Sequence, residues 1–403
     1  MTLIFILIII AIIIIGLKYS HGIIFSPVVM TSVIWLIVTT LLLFMGDAYP
    51  KLSFRTYLCI FLWIVGIFVG STISQSATYS DNHLDDPGTF FRSIYYILSL
   101  FVIPELYNFA TIAIEKGTTG YWLLDLRYAA LGKGSGFDKP FSSFFFLFTQ
   151  CSYMIELLYL KKKNFFKIIP LIFCFLLFGF VMLSKTIFLN FFIYTCIILF
   201  FRGILRLKHL LIATGVFLAF LIVFQAYRHA SDVSNVQSYA LQTYILSNLY
   251  AFDTLEPCSA DHFGENTFRL VYSILYKLNL SDIEPVSPIL DWIYKPIKTN
   301  TYTGLYPCYV DFGIIGVIIT SLLIGLFLGY IFKKVQDGSK YHLLLYAFFS
   351  GVIVMQYATD EFLTTLTTNI KIALILWIPF LFKKFNLLSR DSIYKSINTI
   401  FHQ

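Results

Sequence analysis

The sequence predicts an all-α integral membrane protein that crosses the bilayer many times. Of its 403 residues, 58% are hydrophobic and only 13% are charged, whereas a soluble domain carries about 25% charged residues. Apolar runs of roughly 20 residues recur along the chain, which is the length a helix needs to cross the hydrocarbon core. Strands of a membrane barrel alternate in polarity and are about half as long. The predicted spans are therefore helices.

Eleven segments have the length and composition of spans. The apolar run at 168–201 is too long for one helix, so a tight hairpin at Ser184-Lys185-Thr186 is predicted to divide it. A twelfth span or a re-entrant segment near 120–131 is the alternative. The predicted spans are 2–17, which is expected to be retained rather than cleaved, then 23–45, 57–73, 93–114, 141–160, 165–183, 187–201, 210–224, 310–331, 343–355 and 372–382.

Basic residues in the short loops predict the orientation. They gather at 161–163, 202–208 and 333–340 and again after 383, and eleven spans put all four places on one side. The positive-inside rule makes that side the cytoplasm. The C-terminus is then predicted to be cytoplasmic and the N-terminus to lie outside. Because the net charge of +7 is distributed over these loops, no nucleic-acid partner is predicted.

The predicted organisation has four parts. Residues 1–226 hold the first eight spans and an outer loop at about 115–140. Residues 227–307 form a large periplasmic loop between the eighth and ninth spans, far longer than a connection needs, and long loops often carry function. Residues 308–384 hold the last three spans, and 385–403 form a cytoplasmic tail.

Three shorter helices are predicted in these outer loops. The segment 121–131 is amphipathic and is expected to lie along the membrane interface, while 236–249 and 268–280 have helical patterns. Cys258 and Cys308 both fall in or beside the large loop, and whether they pair is left open, because a sequence does not give their separation.

Few charged residues lie on the predicted outer side. Arg228 and His229 directly follow the eighth span. A guanidinium matches phosphate oxygens with two parallel donors, and a histidine can act as a base near neutral pH. Arg127 and Lys185 are further candidate phosphate ligands. The alternatives are interfacial anchoring for the arginines and snorkelling of Lys185 to the headgroups.

The stretch TNTYTGLYPCYVDFGIIG, residues 299–316, combines hydroxyl, amide and aromatic groups just before a predicted span. Such groups can bind sugars through hydrogen bonds and through flat apolar faces, and an aromatic belt at the interface is the alternative. Asp311 is predicted to cap the helix that it opens, and Gly325 and Gly329 predict close helix packing. The candidate sugar-binding residues are Asn300, Thr301, Tyr302, Thr303, Tyr306, Tyr309 and Asp311.

The stretch 299–316 is one of three features that resemble the Wzy-type oligosaccharide repeat-unit polymerases, also called O-antigen polymerases. The other two are HFGENTFRLVYSILYKLNL at 262–280 and a glycine-bearing helix that ends in Lys333-Lys334. FSPVVMTSVIW at 25–35 and LSKTIFL at 183–189 are similar to the second and the sixth-to-seventh helices of that family. The chain departs from one motif proposed for some members, since neither Arg127 nor Arg228 is followed by glycine eleven residues later.

The resemblance implies a metal-independent glycosyltransferase with a GT-C-like helix bundle in the bacterial inner membrane. Its substrate would be an oligosaccharide on undecaprenyl pyrophosphate, and it would transfer the growing glycan to the non-reducing end of a new lipid-linked unit at the periplasmic face. No cofactor is implied, and a chain-length regulator protein is a possible partner. Arg228, with Arg127 or Lys185, would stabilise the pyrophosphate, and the candidate bases are His229, His262 and Glu265.

Other functions are open at this point. An O-antigen ligase would have the same architecture, and a flippase would act on the same lipid. Transporters usually show two related halves and charged residues at the midplane, and neither is evident here. The sequence has no Gly-rich phosphate loop, no CxxC pair and no HExxH motif, so nothing in it predicts ATP hydrolysis or a bound metal. A structural or sensor protein is a further alternative.

Overall fold

The computed structural model describes residues 1–44, 50–77, 87–130, 142–230, 241–287, 290–294 and 299–382, without the side chains of 142, 225–230 and 241–244. One isolated antiparallel bridge joins Ile293 to Thr299, and the rest of the regular structure in these ranges is helical. The helices are α1 (Thr2–Tyr19), α2 (Pro27–Phe44), α3 (Phe54–Ser76), α4 (Thr89–Leu100), α5 (Val102–Glu115), α6 (Trp122–Ala130), α7 (Ser142–Leu158), a 3-10 helix (Lys162–Lys167), α8 (Ile169–Val181), α9 (Lys185–Phe201), α10 (Leu207–Ala230), α11 (Leu241–Asp253), α12 (Arg269–Lys277), α13 (Tyr306–Gln336), α14 (Lys340–Met355) and α15 (Leu366–Phe382).

The predicted class, a polytopic helical membrane protein, agrees with these helices. Within the described residues, seven helical segments are long and apolar enough to cross a membrane, and four more apolar helices have 10–17 residues. Each of the eleven predicted spans overlaps a helix within the described residues. A break divides the run as predicted, but the turn lies at 182–184 rather than at Ser184-Lys185-Thr186. Helix α8 ends at Val181 and α9 begins at Lys185, with Leu183 at φ 47° between them. The predicted tail at 385–403 lies outside the described residues.

Prolines explain two of the differences between the predicted and the observed helix boundaries. The span expected at 93–114 is divided at Phe101 into α4 and α5, because Pro104 cannot donate a hydrogen bond to the carbonyl of Leu100 and its ring crowds that group. The helix expected from Val310 begins at Tyr306 instead. Pro307 is its second residue, a position where the fixed φ of proline suits a helix start.

The chain divides into two compact units that do not follow chain order. Unit 1 comprises Met1–Ser80, Tyr239–Asp337 and Phe349–Ile370, and unit 2 comprises Asp81–Ser238, Gly338–Phe348 and Lys371–Gln403. In unit 1 the first three helices therefore assemble with α11 to α13, which come more than a hundred residues later in the chain.

Unit 1 is organised by close packing of α3 against α13. Gly66 and Gly70 on α3 face Gly325 and Gly329 on α13, so two GxxxG pairs meet. A Cβ atom on Gly70 would lie 2.3 Å from the carbonyl oxygen of Leu322, and one on Gly325 would lie 2.7 Å from that of Ile67. The packing role predicted for the glycines of α13 is confirmed, and the backbones touch because none of the four carries a side chain.

Three helices of unit 1 run in the same direction. Thr2 and Tyr57 share a hydrogen bond of 2.7 Å near the starts of α1 and α3, and Tyr19 donates to the carbonyl of Thr72 near their ends. Helix α13 is parallel to α3 as well, because Gly66 on α3 lies against Leu322 while Ser71, further along α3, lies against Gly329. Unit 1 thus has one end at which α1, α3 and α13 begin and another at which they end.

Helix α13 is broken at Gly313, which has φ 61° and ψ −146°. A break frees carbonyl groups in the preceding turn, and these need other donors. The N–H groups of Cys258 and Ala260 supply them, at 3.4 Å from the carbonyl of Tyr309 and 3.3 Å from that of Val310. The segment before α12 is thereby fixed to α13 without a disulfide, since Cys258 and Cys308 are both free thiols.

Replacing Gly325 tests the α3–α13 contact. Gly325→Leu places a side chain against the backbone of α3, so the free energy of unfolding is expected to fall by at least about 1–3 kcal/mol. Thermal unfolding of the purified protein in detergent measures the effect. Gly215→Leu on α10 is the matched control, because no atom lies within 4 Å of the Cβ position there. Equal melting temperatures for the two variants would contradict the packing described here.

Candidate functional site

A polar cavity lies in unit 1 near the start of α13. It occupies about 400 Å³ including its opening, of which about 30 Å³ admits whole water molecules. We call it the Arg269 cavity. Its walls come from α12, from the segments before and after it, and from the connection between α14 and α15. The lining residues are Asn266, Arg269, Val286, Ser287, Leu290, Tyr302, Thr303, Tyr306, Pro307, Thr359, Asp360 and Thr364.

Arg269 is the cation of this cavity. Its Nε donates to the carbonyl of Val286 at 2.6 Å, and its Nη1 donates to the carbonyl of Thr364 at 3.2 Å. Neither partner is charged, and none of the ion pairs found among the described residues involves Arg269. Burial lowers the pKa of the guanidinium, which nevertheless stays charged at neutral pH. Its Nη2 group forms no hydrogen bond with any described residue.

Asp360 is the carboxylate of the cavity and is only 8% exposed. It accepts hydrogen bonds from the N–H groups of Phe362, Leu363 and Thr364, at 2.7–3.1 Å, and from the hydroxyl of Thr364 at 2.9 Å. Burial raises the pKa of Asp360, and these donors oppose the rise. The carboxylate is therefore held in one orientation, in the connection between α14 and α15.

Glu361 follows Asp360 and lines a second, more apolar cavity on the other side of the same connection, beside Trp63 and Gln356. Burial, and to a smaller extent the neighbouring charge of Asp360, raises the pKa of Glu361 to about 7. Burial therefore raises the pKa of both adjacent carboxyl groups.

Thr303 has a buried hydroxyl that lacks a partner. The residue is 1% exposed and lines the Arg269 cavity, yet its Oγ1 forms no hydrogen bond with any described residue. Buried polar atoms are nearly always paired, and leaving one unpaired costs about 1–3 kcal/mol. A buried hydroxyl without a partner at the wall of a cavity indicates that a polar ligand or a water molecule forms a hydrogen bond with it.

Two of the three predicted sugar-binding tyrosines line the cavity. The rings of Tyr302 and Tyr306 lie 5.2 Å apart between centroids, and their hydroxyls donate to the carbonyl of Asp291 and to the side-chain oxygen of Asn266. The third, Tyr309, does not line the cavity. Tyr309 is fully buried, with the guanidinium of Arg55 5.5 Å from the centre of its ring and Phe252 5.0 Å away.

Asn300 and Thr301 lie beside the cavity and do not line it. The hydroxyl of Thr301 donates to the side chain of Asn248 and is 2.9 Å from that of Thr299, which ties this strand-like segment to α11. Asn300 is half-buried. Of the three predicted sugar-binding residues Asn300, Thr301 and Thr303, only Thr303 lines the Arg269 cavity.

Asp311 does not cap its own helix as predicted, because α13 begins five residues earlier. Its carboxylate instead accepts from the N–H of Thr267 at 2.6 Å, and from the backbone and side-chain nitrogens of Asn266. These residues directly precede α12, so Asp311 fixes the turn from which Arg269 enters the cavity. It is a positioning residue.

The predicted bases of the large loop do not line the cavity. His262 is exposed, and Glu265 accepts a hydrogen bond from the N–H of Asp261 at 3.1 Å, within its own turn. The neighbouring ring of Phe263 is 80% exposed. These residues sit on the surface of the turn that Asp311 caps.

Unit 2 holds the remaining predicted site residues. Leu126 and Ala129 of α6 pack against Val181 and Met182, beside the hairpin. This brings Arg127 close enough for its charge to act on Lys185. Arg228 and His229 lie in the last two turns of α10, which continues beyond its predicted end at 224 as far as Ala230. Their side chains are outside the described part of the structure.

Several residues at this end of unit 1 were not identified as site residues from the sequence. The carboxylate of Asp253 accepts from Ser53 and Thr56 at the start of α3, and the Nη2 of Arg55 donates to the carbonyl of Asp253 at 2.7 Å. Asp360 and Glu361 carried a usable signal, because two adjacent acids interrupt the apolar tract VIVMQYATDEFLTT.

No protein-family model matches the chain, and no curated protein or solved structure matches it either. Within the described residues, no group of three or more histidine, cysteine, aspartate or glutamate side chains could hold a metal ion.

The pKa of Glu361 predicts how stability depends on pH. Its folded value of about 7 exceeds its ordinary value of 4.5, so its stabilising contribution is complete below pH 4.5 and is lost as the pH rises through about 7. Glu361→Gln removes this loss. Above pH 7 the variant is expected to be more stable than the wild type by about 1–3 kcal/mol, with the difference closing towards pH 4.5.

Thermal unfolding across this pH range measures the effect, with the exposed Glu284→Gln as the control for loss of one carboxylate. A constant difference between Glu361→Gln and the wild type at every pH would contradict the raised pKa.

Proposed function

We propose that the chain is a membrane-embedded glycosyltransferase that polymerises lipid-linked oligosaccharide repeat units, as its resemblance to the Wzy-type polymerases implies. The observation that carries the proposal is the composition of the Arg269 cavity. A guanidinium without a carboxylate partner, a fixed carboxylate, an orphan hydroxyl and a pair of tyrosine rings converge there. This set suits a ligand that carries both phosphate and sugar.

Each group has a chemical part in the proposed transfer. The acceptor hydroxyl adds to the anomeric carbon while the bond to the pyrophosphate breaks. The pyrophosphate leaves with the electron pair, and one of its oxygen atoms takes up the proton of the acceptor hydroxyl. Arg269 stabilises the charge that grows on the leaving group. The carboxylate of Asp360 stabilises the positive charge that develops on the sugar ring. Tyr302 and Tyr306 cover the apolar face of a sugar, and Thr303 binds one of its hydroxyl groups.

We propose that the cavity faces the periplasm of a bacterial inner membrane. Lys18, Lys333 and Lys334 lie at the other end of unit 1, which is the cytoplasmic end under the positive-inside rule. The lipid-linked oligosaccharide is then the substrate, with no cofactor, and a chain-length regulator the partner. The phosphate-binding roles of Arg127, Lys185 and Arg228 and the base roles of His229, His262 and Glu265 stay predictions.

Replacing Arg269 tests the phosphate role. Arg269→Ala is expected to lower the transfer rate by about 100- to 1,000-fold, because one preorganised donor to the leaving group is lost. A lipopolysaccharide gel should then show single repeat units on the core in place of long chains, with unchanged protein levels in the membrane by immunoblot. Lys277→Ala, an exposed lysine on the same helix, is the control. Wild-type glycan chain lengths in Arg269→Ala would rule out the phosphate-binding role. Lipopolysaccharide core that carries no repeat units at all would favour an O-antigen ligase.

Replacing Thr303 separates binding from folding. Thr303→Val keeps the shape and removes a hydroxyl that has no partner in the protein, so the melting temperature is expected to stay equal or rise. Chain length or transfer rate should fall by about tenfold if the hydroxyl binds a sugar. Full activity together with higher stability would mean that Thr303 has no ligand, and a large loss of stability would contradict the orphan hydroxyl.

A further inference from the structure

A second polar recess lies at the other end of unit 1, where α1, α3 and α13 end. It is an open groove of about 510 Å³, and we call it the lysine groove. Three helices and the turn after α1 contribute to it, and none of the described residues that line it is acidic. They are Ile15, Lys18, Tyr19, His21, Gln75, Lys333 and Gln336.

The groove presents donors from several directions. Lys18 is in the last turn of α1 and Lys333 in the last turn of α13, so two ammonium groups come from different helices. The turn that carries His21 is fixed, because the N–H groups of Ser20 and Gly22 donate to the carbonyls of Gly16 and Leu17 at 2.9 and 2.8 Å. Ammonium, imidazole and amide groups around one space suit an anion with several oxygen atoms.

One carboxylate competes for this charge. Asp337 lies 3.0 Å from the Nζ of Lys333, one helical turn away, and both side chains are partly exposed. An exposed pair of this kind is weak, and an ammonium group has three N–H donors. Lys333 can therefore bind a second anion, and Asp337 should weaken that binding without preventing it.

The apolar surface next to the groove indicates what carries the anion. The outward side of α1 is a continuous apolar face that leads to Ile15 at the groove itself. Its side chains are 38–65% exposed, at Ile4, Leu7, Ile8, Ile10, Ile14 and Ile15. On a membrane-spanning helix this face contacts lipid chains. An occupant with a charged head in the groove would therefore have hydrocarbon chains along α1.

We infer that the lysine groove binds the headgroup of an anionic phospholipid, with its phosphate between Lys18 and Lys333 and its acyl chains on α1. Basic residues near the membrane surface attract anionic lipids, and here they line a groove that has room for a headgroup. The inference is independent of the proposed glycosyl transfer, because the groove and the Arg269 cavity share no residue.

Lipid binding by the full-length protein tests the inference. Native mass spectrometry compares retention of phosphatidylglycerol and phosphatidylcholine by the wild type and by the double variant Lys18→Gln/Lys333→Gln. The double variant is expected to lose phosphatidylglycerol affinity by about tenfold or more, with phosphatidylcholine unchanged. Lys51→Gln/Lys277→Gln, two exposed lysines of the same unit outside the groove, is the control and should retain the lipid.

Two further variants distinguish charge from folding. Lys18→Arg/Lys333→Arg keeps both charges and should retain phosphatidylglycerol, and Asp337→Asn should strengthen its binding by a few fold. Equal retention by the glutamine variant and its control, or weaker binding by Asp337→Asn, would overturn the inference. Displacement of the lipid by millimolar inorganic phosphate would show that the groove takes free anions instead, and would also overturn it.

Discussion

The contact between α3 and α13 is the constraint on which the rest of unit 1 depends. Because glycines on both helices remove the side chains between them, the two backbones run together in parallel with little freedom to slide. At the start of α3 lie Ser53 and Thr56, which donate hydrogen bonds to Asp253. At the start of α13 lie Tyr302 and Tyr306, which line the Arg269 cavity. The ends of the two helices carry two walls of the lysine groove. One apolar interface thus sets the geometry of two polar regions.

Acidic side chains at the site end of unit 1 are used to fix backbone. Asp253, Asp311 and Asp360 each accept hydrogen bonds from backbone N–H groups, at the start of α3, before α12 and after α14 respectively. Hydrogen bonds to a charged acceptor are stronger than neutral ones. These carboxylates are engaged with backbone, and none of them forms an ion pair with Arg269 among the described residues.

Local patterns in the sequence predicted most of the helices, because span length and apolar composition are properties of neighbouring residues. The hairpin before Lys185 and the helices α6 and α12 follow from the same reasoning. Which segments share a cavity could not be predicted. Arg269 contacts Thr364, which lies about ninety residues later in the chain, and a single sequence does not indicate which distant residues are in contact. Tyr309 shows the limit most clearly. Its neighbours in sequence line the cavity, but the break at Gly313 and the contact with Arg55 bury it.

The order of unit 1 along the chain has a consequence for its biogenesis. Helix α3 ends at Ser76 and α13 begins at Tyr306, so at about 5–20 residues per second the ribosome needs roughly 10–50 s to deliver the second after the first. During that interval the glycine face of α3 lacks the helix against which it packs. A nascent chain halted before residue 306 would therefore have inserted α1, α2 and α3 while the central interface of unit 1 was still unformed.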